Sequence, residues 1–197
     1  APKDGSPITT PTQDMILGSY YLTHPGVEER NTAAEKGDGK IFTDIDEMLM
    51  AYQNGTVGIH AKVKVRMFLD GDERGRLVES TVGRFIFNQG IPQDLGFVDR
   101  AADPDSLEVD FLCDKKKLGL IIDKCYRVHG NTGTVIMLDY IKSMGYKYST
   151  KAAVTISVSD MEIPAEKEAI ISAAEAEVDK YEKAFRMGLM SAQERYE

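Results

Sequence analysis

The clearest candidates for chemistry in this sequence of 197 residues are basic side chains that alternate along one short stretch. Residues 57–69 place apolar side chains at every second position and basic ones between them, which is typical of a half-buried strand. The basic face consists of His60, Lys62, Lys64 and Arg66. Four such side chains on one face of a protein whose net charge is −8 attract phosphate groups. A solvated edge face that binds nothing is an equally good interpretation of the pattern.

The motifs that could bind a metal ion are incomplete. Residues 70–75 resemble the start of a calcium-binding loop, but Arg74 occupies the fifth ligand position and Thr81 stands where a bidentate glutamate is needed. We therefore expect a solvated turn there. No histidine has a cysteine or carboxylate at the spacing of metal ligands, so we expect surface or structural roles for them. These histidines are His24, His60 and His129.

A second candidate surface lies at the end of the chain, where the sequence predicts a helical hairpin. Between Pro164 and Arg186, apolar residues recur at steps of 3, 4, 3 and 4, the pattern of a coiled-coil seam. This helix would run about 35 Å at ~1.5 Å per residue. The seam comprises Ile171, Ala174, Val178, Tyr181 and Phe185. Gly188 ends the helix, and Ser191 with Glu194 forms a capping box that begins a return helix.

The tip of this hairpin is predicted to carry exposed apolar side chains. Met187, Leu189 and Met190 surround the break at Gly188, where methionine and leucine invite a protein partner. The alternative for Leu189 is packing back against the end of the hairpin. The sequence ends within about one turn of the return helix, so we expect a truncated hairpin with an underpacked seam.

Helices and short strands must position these surfaces. Helices are predicted over 12–22, with Thr12 as the cap, and over 43–54, 81–87, 114–128 and 132–148. In the last of these, we expect Val135, Ile136, Leu138 and Ile141 to be buried. Strands are predicted over 57–69, 77–82 and 152–158, with loops over 24–40 and 90–110. The fold class is α+β: mixed helices and short antiparallel strands with a protruding, truncated antiparallel helical hairpin.

Composition and charge exclude several classes of protein. No apolar run approaches the ~20 residues that span a membrane, and the N-terminus carries no signal peptide. A net charge of −8 argues against a self-sufficient nucleic-acid-binding domain. Cys113 and Cys125 stand near opposite ends of one predicted helix, too far apart for a disulfide. Unpaired thiols fit a reducing compartment, so we expect a soluble cytoplasmic protein.

Several stretches, in collinear order, resemble the β′ family of bacterial DNA-directed RNA polymerases. They are PTQDMILGSYYLT at 11–23, AYQNG at 51–55, IHAKVKVR at 59–66, TVGRFIFN at 81–88, ISVSDM at 156–161, IP at 163–164, EAEV at 175–178, GL at 188–189 and ERY at 194–196. A single stretch would be weak support, but together they cover nearly the whole chain and are specific.

The resemblance implies two regions and a set of site residues. Residues 1–150 resemble the pore region that lines the nucleotide-entry (secondary) channel, and residues 151–197 resemble the funnel and its rim-helix coiled coil. By resemblance, this wall guides nucleoside triphosphates inward and accepts the RNA 3′ end of a backtracked enzyme. The substrate-proximal residues would be Thr12, Gln13 and Asp14, with Gln13 nearest. Gre-type transcript cleavage factors would dock on Phe185, Arg186, Met187, Gly188, Leu189, Met190, Glu194 and Arg195.

The resemblance also implies what this chain lacks. The intact enzyme is a nucleotidyltransferase whose catalytic aspartate loop and Mg²⁺ lie outside this segment. We therefore expect no catalytic residue, no metal and no cofactor in the chain, and no activity from it alone. The expected partners are the β, α and ω subunits, DNA and RNA in the intact enzyme, and Gre-type factors, with no membrane.

Two other functions stay open from the residues alone. A stand-alone α+β interaction module could present the helical hairpin to a protein partner, but it would need a complete second helix. A small phosphate-handling enzyme could be built around the basic strand, but it would need a base or metal ligands converging on that strand. Neither feature is visible in the sequence.

Overall fold

The computed structural model describes residues 9–26, 35–68, 75–100, 102–103 and 106–197, in two compact units, Ala1–Val154 and Thr155–Glu197. The first unit contains α1 (Asp14–Thr23), β1 (Ile41–Phe42), α2 (Ile45–Gln53), β2 (Lys62–Met67), β3 (Arg76–Thr81), α3 (Val82–Asn88) and α4 (Lys115–Ala152). The second contains a 3₁₀ turn (Val158–Asp160), α5 (Lys167–Arg186) and α6 (Ala192–Tyr196). This mixture of helices and a small sheet confirms the α+β class. Within the described ranges, no helix is both long and apolar enough to cross a membrane.

Strand β2 is the central strand of the three-stranded sheet. It pairs antiparallel with β3, with Lys64 opposite Glu79, which confirms the predicted hairpin. It also pairs parallel with β1, a two-residue strand that no sequence pattern indicated. Val63 and Val65 are fully buried, whereas Lys64 between them is exposed. The alternation predicted for this stretch is therefore confirmed within the strand itself.

Helices α1 and α4 cross closely because each has a glycine at the crossing point. A Cβ atom added to Gly18 would lie 1.9 Å from the carbonyl oxygen of Gly145. One added to Gly145 would lie 2.6 Å from the Cα atom of Met15. Only a residue without a Cβ atom permits this approach. The crossing brings Leu22 of α1 and Ile141 of α4 into one buried core cluster.

Side chains cap three helices of the first unit and leave a fourth uncapped. Asp44 accepts a hydrogen bond from the Glu47 backbone at the start of α2, and Asp114 accepts one from the Lys117 backbone at the start of α4. These two predicted starts are confirmed, and Thr81 caps α3 in the same way. The cap predicted for Thr12 is wrong, because α1 begins one residue later and no side chain caps it.

The range of α4 contains two helices that meet at a sharp kink at Gly130. The backbone there has φ 65° and ψ −158°, outside the helical region, so the predicted stop at Gly130 is confirmed. Before the kink, Leu118, Ile121, Ile122 and Cys125 are buried, as their spacing predicts. After it, the buried positions are Thr134, Met137, Ile141, Gly145 and Tyr148. The predicted burial of Val135 and Ile136 is wrong: both are exposed, because the buried stripe falls on the face that contains Met137.

The segment between α3 and α4 is irregular and is held by buried polar contacts. The Asn88 amide donates to the Val109 carbonyl at 2.8 Å and accepts from the Val109 backbone at 3.0 Å. The Glu108 carboxylate is 1% exposed; it accepts from the Phe97 backbone and forms an ion pair of 3.1 Å with Arg100. Side chains thus satisfy backbone groups that have no strand partner.

Both cysteines are buried and unpaired. Burial raises the pKa of the Cys113 thiol to about 12, which keeps it protonated at neutral pH. A protonated, buried thiol is a poor nucleophile, so neither redox chemistry nor metal binding is indicated at this residue.

The second unit is mostly exposed. The strand predicted over 152–158 is wrong: α4 runs through Ala152, and a 3₁₀ turn follows. In that turn, Asp160 accepts from the Ser157 backbone at 2.7 Å, and Ser157 accepts from the Ser159 backbone. Such local side-chain bonds favour a turn over an extended strand. Helix α5 begins at Lys167 rather than at Pro164.

Candidate functional site

The basic face of β2 is smaller and less charged than the sequence predicts. Lys64 and Arg66 are exposed, whereas Lys62 is half-buried. Lys64 forms an ion pair of 3.0 Å with Glu79, the residue opposite it on β3. The carboxylate cancels one of the charges that would attract phosphate. The face is therefore a mixed-charge surface.

His60 does not belong to this face, which corrects the prediction. Strand β2 begins at Lys62, so His60 lies in the preceding turn, and its ring points toward α1. It packs edge-on against Tyr21, with ring centroids 4.7 Å apart, and against His24, at 5.6 Å. Burial and the neighbouring His24 lower the pKa of His60. A lowered pKa means that the ring adds no positive charge at neutral pH.

The start of α1 contains a strained backbone at the residue predicted to lie nearest substrate. Gln13 has φ 46° and ψ −120°, and it is one of two non-glycine residues with positive φ in the described ranges. Its carbonyl accepts from the Ile16 and Leu17 backbones. Thr12, Gln13 and Asp14 are all exposed. Strain of this kind costs about 1–3 kcal/mol and is concentrated at functional positions in proteins.

The turn between α5 and α6 has a fixed local geometry. Gly188 has φ 73°, the Leu189 backbone donates to the Ala184 carbonyl at 3.0 Å, and the Gly188 backbone donates to the Phe185 carbonyl at 2.9 Å. These two bonds form a Schellman motif, which ends a helix with a glycine in the left-handed region. Ser191 and Glu194 then form both bonds of the predicted capping box. The break and the return helix predicted from the sequence are confirmed.

Side chains around this turn divide into supporting and exposed groups. The Arg195 guanidinium lies 4.3 Å from the centre of the Phe185 ring, which is half-buried. Arg186 pairs with Glu182 at 3.1 Å. The hydrogen bonds with Ser191 lower the pKa of Glu194, so this carboxylate stays ionised as a cap. Phe185, Glu194 and Arg195 therefore hold the turn rather than present free groups.

The exposed groups at the turn are apolar. Leu189 is 77% exposed and Met187 is 68% exposed, while Met190 is half-buried. The alternative that Leu189 packs back on the hairpin end is therefore wrong. Tyr196, which the sequence did not single out, is exposed one turn into the return helix. Together, Met187, Leu189 and Tyr196 are called the tip surface below.

Most of the seam of α5 is exposed, whereas Phe185 at its end is half-buried. Ile171, Val178 and Tyr181 all face solvent within the second unit, as expected for a hairpin whose return helix is short. The seam is therefore the exposed apolar face of an amphipathic helix.

Metal binding has no support within the described ranges, where no cluster of three or more histidine, cysteine, aspartate or glutamate side chains could hold an ion. Most of the calcium-like turn, residues 70–74, lies outside those ranges, as do residues 27–34 of the predicted loop over 24–40. His129 is paired with Asp94 at 2.6 Å, a structural role for that histidine.

Comparison with known proteins identifies close relatives over the whole chain. A family model described as RNA polymerase Rpb1, domain 3 matches residues 1–161. The DNA-directed RNA polymerase subunit β′ of Alkaliphilus oremlandii is 67% identical over 197 residues, which are 100% of this chain and 16% of the relative. The subunit of the same name from Clostridioides difficile is 61% identical over the same shares. That from Caldanaerobacter subterraneus is 53% identical over 201 residues, again 100% of this chain and 16% of the relative. The chain thus spans about one sixth of the length of these relatives.

Proposed function

The chain belongs to the family of RNA polymerase β′ subunits, and on that premise we propose that it forms a wall of the channel through which nucleoside triphosphates reach the active centre. The same wall accepts the RNA 3′ end when the enzyme backtracks. The catalytic aspartate loop and its Mg²⁺ lie outside this chain, so the chain contributes no catalytic group of its own. It works in the cytoplasm with the β, α and ω subunits, DNA and RNA.

The second part of the proposal is that the tip surface is the docking rim for Gre-type transcript cleavage factors. The observation that supports it is the combination of a fixed backbone with exposed apolar side chains. The Schellman motif and the capping box hold the turn, while Leu189 and Met187 stay in solvent. A preorganised apolar surface binds a protein partner at a low entropic cost. Thr12 to Asp14 are proposed to lie on the channel side, nearest substrate.

Changing Leu189 to aspartate in the full polymerase is expected to reduce factor-stimulated transcript cleavage by a factor on the order of ten or more. A charge in the centre of an apolar contact removes a binding hot spot, which costs about 2 kcal/mol or more. Simple elongation is expected to stay within about a factor of two, because no reacting group is changed. The measurement is cleavage of a stalled, backtracked complex with and without the factor.

Leu189→Met is the matched control, since it keeps an exposed apolar side chain at the same backbone position. It is expected to retain factor-stimulated cleavage. Equal loss of cleavage and elongation in Leu189→Asp would contradict a docking role. A pull-down of the factor by the β′ rim, extended to complete the return helix, then shows whether the variant fails to bind the factor or fails in a step after binding. Circular dichroism establishes that the extended rim is folded.

The chain alone is expected to bind nucleoside triphosphates no more tightly than about 1 mM. Each exposed charge pair between a basic side chain and a phosphate contributes about 0–1 kcal/mol. Strand β2 can form few such pairs, because Glu79 neutralises Lys64 and the His60 ring packs against Tyr21. Isothermal titration with each of the four triphosphates measures this. Micromolar affinity that differs between bases would contradict the interpretation of β2 as a channel wall.

A further inference from the structure

One ring nitrogen of His60 is buried without a hydrogen-bond partner. Within the described part of the chain, Nδ1 of His60 is the one buried side-chain nitrogen or oxygen in this condition. The ring also forms a hydrogen bond with the His24 backbone. Because Nδ1 has no partner, this bond uses Nε2. Neutral His60 therefore carries its proton on Nε2, and Nδ1 is a buried, unprotonated nitrogen whose lone pair accepts no hydrogen bond.

Within the described ranges, the surroundings of the ring offer no hydrogen-bond acceptor at Nδ1. Tyr21 and His24 of α1 meet it edge-on, and His24 has its own Nδ1 engaged by the Gly26 backbone at 3.3 Å. Two carboxylates lie in the same region, and neither is bonded to Nδ1 of His60. Glu35 lies against Gly58, and Asp38 accepts from the Lys62 backbone at 2.7 Å.

The remaining titratable groups near His60 do not favour its cation either. Tyr52 of α2 acts on Tyr21 rather than on the His60 ring, and Lys62 follows on β2 with a like charge. Burial lowers the pKa of His60 first and the charge of His24 lowers it second, while the bond to the His24 backbone acts in the opposite direction. The net direction is downward, in agreement with the geometry.

The backbone around this ring has little room to adjust. A Cβ atom added to Gly26 would lie 2.8 Å from the His60 carbonyl oxygen. On the other side, the Gly83 backbone donates to the Ile59 carbonyl at 2.7 Å, and the Val82 backbone donates to the Ala61 carbonyl at 3.1 Å. The ring of His60 thus packs against the end of α1, while the backbone of its two neighbours is bonded to the start of α3.

We propose that His60 is a proton-sensitive latch at this junction: a proton added at Nδ1 places a cation where none of the described residues supplies an acceptor, and it loosens the contact between α1 and the start of β2. The inference is independent of the proposed function, since it concerns the packing of the first unit. A buried cation without a partner is unfavourable, and the protein relieves it by opening the site to water.

The expected sign follows from the lowered pKa. The unfolded chain binds a proton at His60 near the ordinary histidine pKa of about 6.5, while the folded chain binds it only at lower pH. The contribution of His60 to the free energy of unfolding is therefore at its full value above about pH 6.5. It is lost as pH falls toward the folded-state pKa. Through that window, one proton lowers the folding equilibrium constant by up to about tenfold per pH unit.

The test compares the 197-residue chain with His60→Gln, whose amide can still donate to the His24 backbone but does not titrate. Urea unfolding at about pH 7.5 and about pH 5.5 brackets the histidine range. The wild-type folding constant is expected to fall at least about threefold more than that of His60→Gln over this interval. His129→Gln, which removes the histidine paired with Asp94, serves as the matched control and is expected to leave the His60 contribution in place. Equal pH dependence in wild type and His60→Gln would overturn the proposal.

A second measurement needs no variant. Nuclear magnetic resonance of the wild-type chain follows the His60 ring and the backbone amides of Val82 and Gly83 through the same titration. We expect the ring to titrate below the ordinary histidine value and the two amides to shift with it, because they are bonded to the residues on either side of His60. A ring that titrates at or above the ordinary value, or one that titrates while both amides stay unchanged, would overturn the latch.

Discussion

Replacing Gly18 with alanine is expected to lower the free energy of unfolding by about 3 kcal/mol, at the upper end of the range for overpacking a core. The added methyl group would lie 1.9 Å from the Gly145 carbonyl oxygen and 2.6 Å from its carbon, both backbone atoms of α4. Backbone atoms cannot move aside as a flexible side chain can. The two helices must separate, and their separation exposes the core that contains Leu22 and Ile141. Urea unfolding followed by circular dichroism measures the change.

Gly119→Ala is the matched control, because it makes the same substitution on α4 where nothing lies within 4 Å of the new methyl group. It is expected to raise stability by up to about 1 kcal/mol, since alanine is the better helix former. Gly145→Ala is expected to act like Gly18→Ala, since its methyl group would lie 2.6 Å from the Met15 Cα atom. Equal effects of Gly18→Ala and Gly119→Ala would contradict the close crossing.

Features decided within a few residues are the ones that the sequence predicted well. Asp44 and Asp114 cap helices where predicted, because a cap needs only a side-chain oxygen and a backbone N–H three residues later. Ser191 and Glu194 form their capping box for the same reason. The break at Gly188 depends on a backbone angle that glycine alone adopts easily.

Features decided by distant contacts are the ones that sequence patterns missed. The two residues of β1 are too few to show a period, and they form a strand only because β2 offers its edge. The buried stripe of α4 beyond Gly130 depends on how α1 crosses that helix, so Val135 and Ile136 were assigned to the wrong face. The strand predicted over 152–158 failed because a pattern of alternating apolar residues cannot supply a strand partner.

The candidate site shows the same division. The exposure of Met187 and Leu189 could be predicted, since both flank a glycine break that has no room for a core. The strained backbone of Gln13 could not, because its residue type carries no preference for positive φ. The ring of His60 was assigned to a charged face because the alternation of β2 was extended beyond the first residue of the strand. Its contact with Tyr21 depends on the placement of α1, which is remote in sequence.

Changing Arg100 to methionine is expected to lower the free energy of unfolding by about 2–3 kcal/mol. The Glu108 carboxylate is 1% exposed, and within the described ranges Arg100 supplies its one ion pair, at 3.1 Å. Removing the partner of a buried charge costs about 3–5 kcal/mol, and the figure is reduced here because Arg100 is 31% exposed. Arg100 also donates to the Ser106 and Gln93 carbonyls, so these lose a donor as well.

Two comparisons distinguish the effect on stability of leaving the buried Glu108 charge unpaired from the effect of losing an arginine side chain. Arg186→Met breaks the exposed pair with Glu182, whose side chains are 75% and 48% exposed, and is expected to change stability by less than about 0.5 kcal/mol. Adding Glu108→Gln to Arg100→Met removes the uncompensated charge while an amide oxygen still accepts from the Phe97 backbone. The double variant is therefore expected to be more stable than Arg100→Met alone, which a double-mutant cycle measures as a coupling energy. If the double variant were instead less stable by the sum of the two single changes, the irregular segment would owe its order to the apolar contacts around Leu107 and Val109, and the ion pair would be incidental.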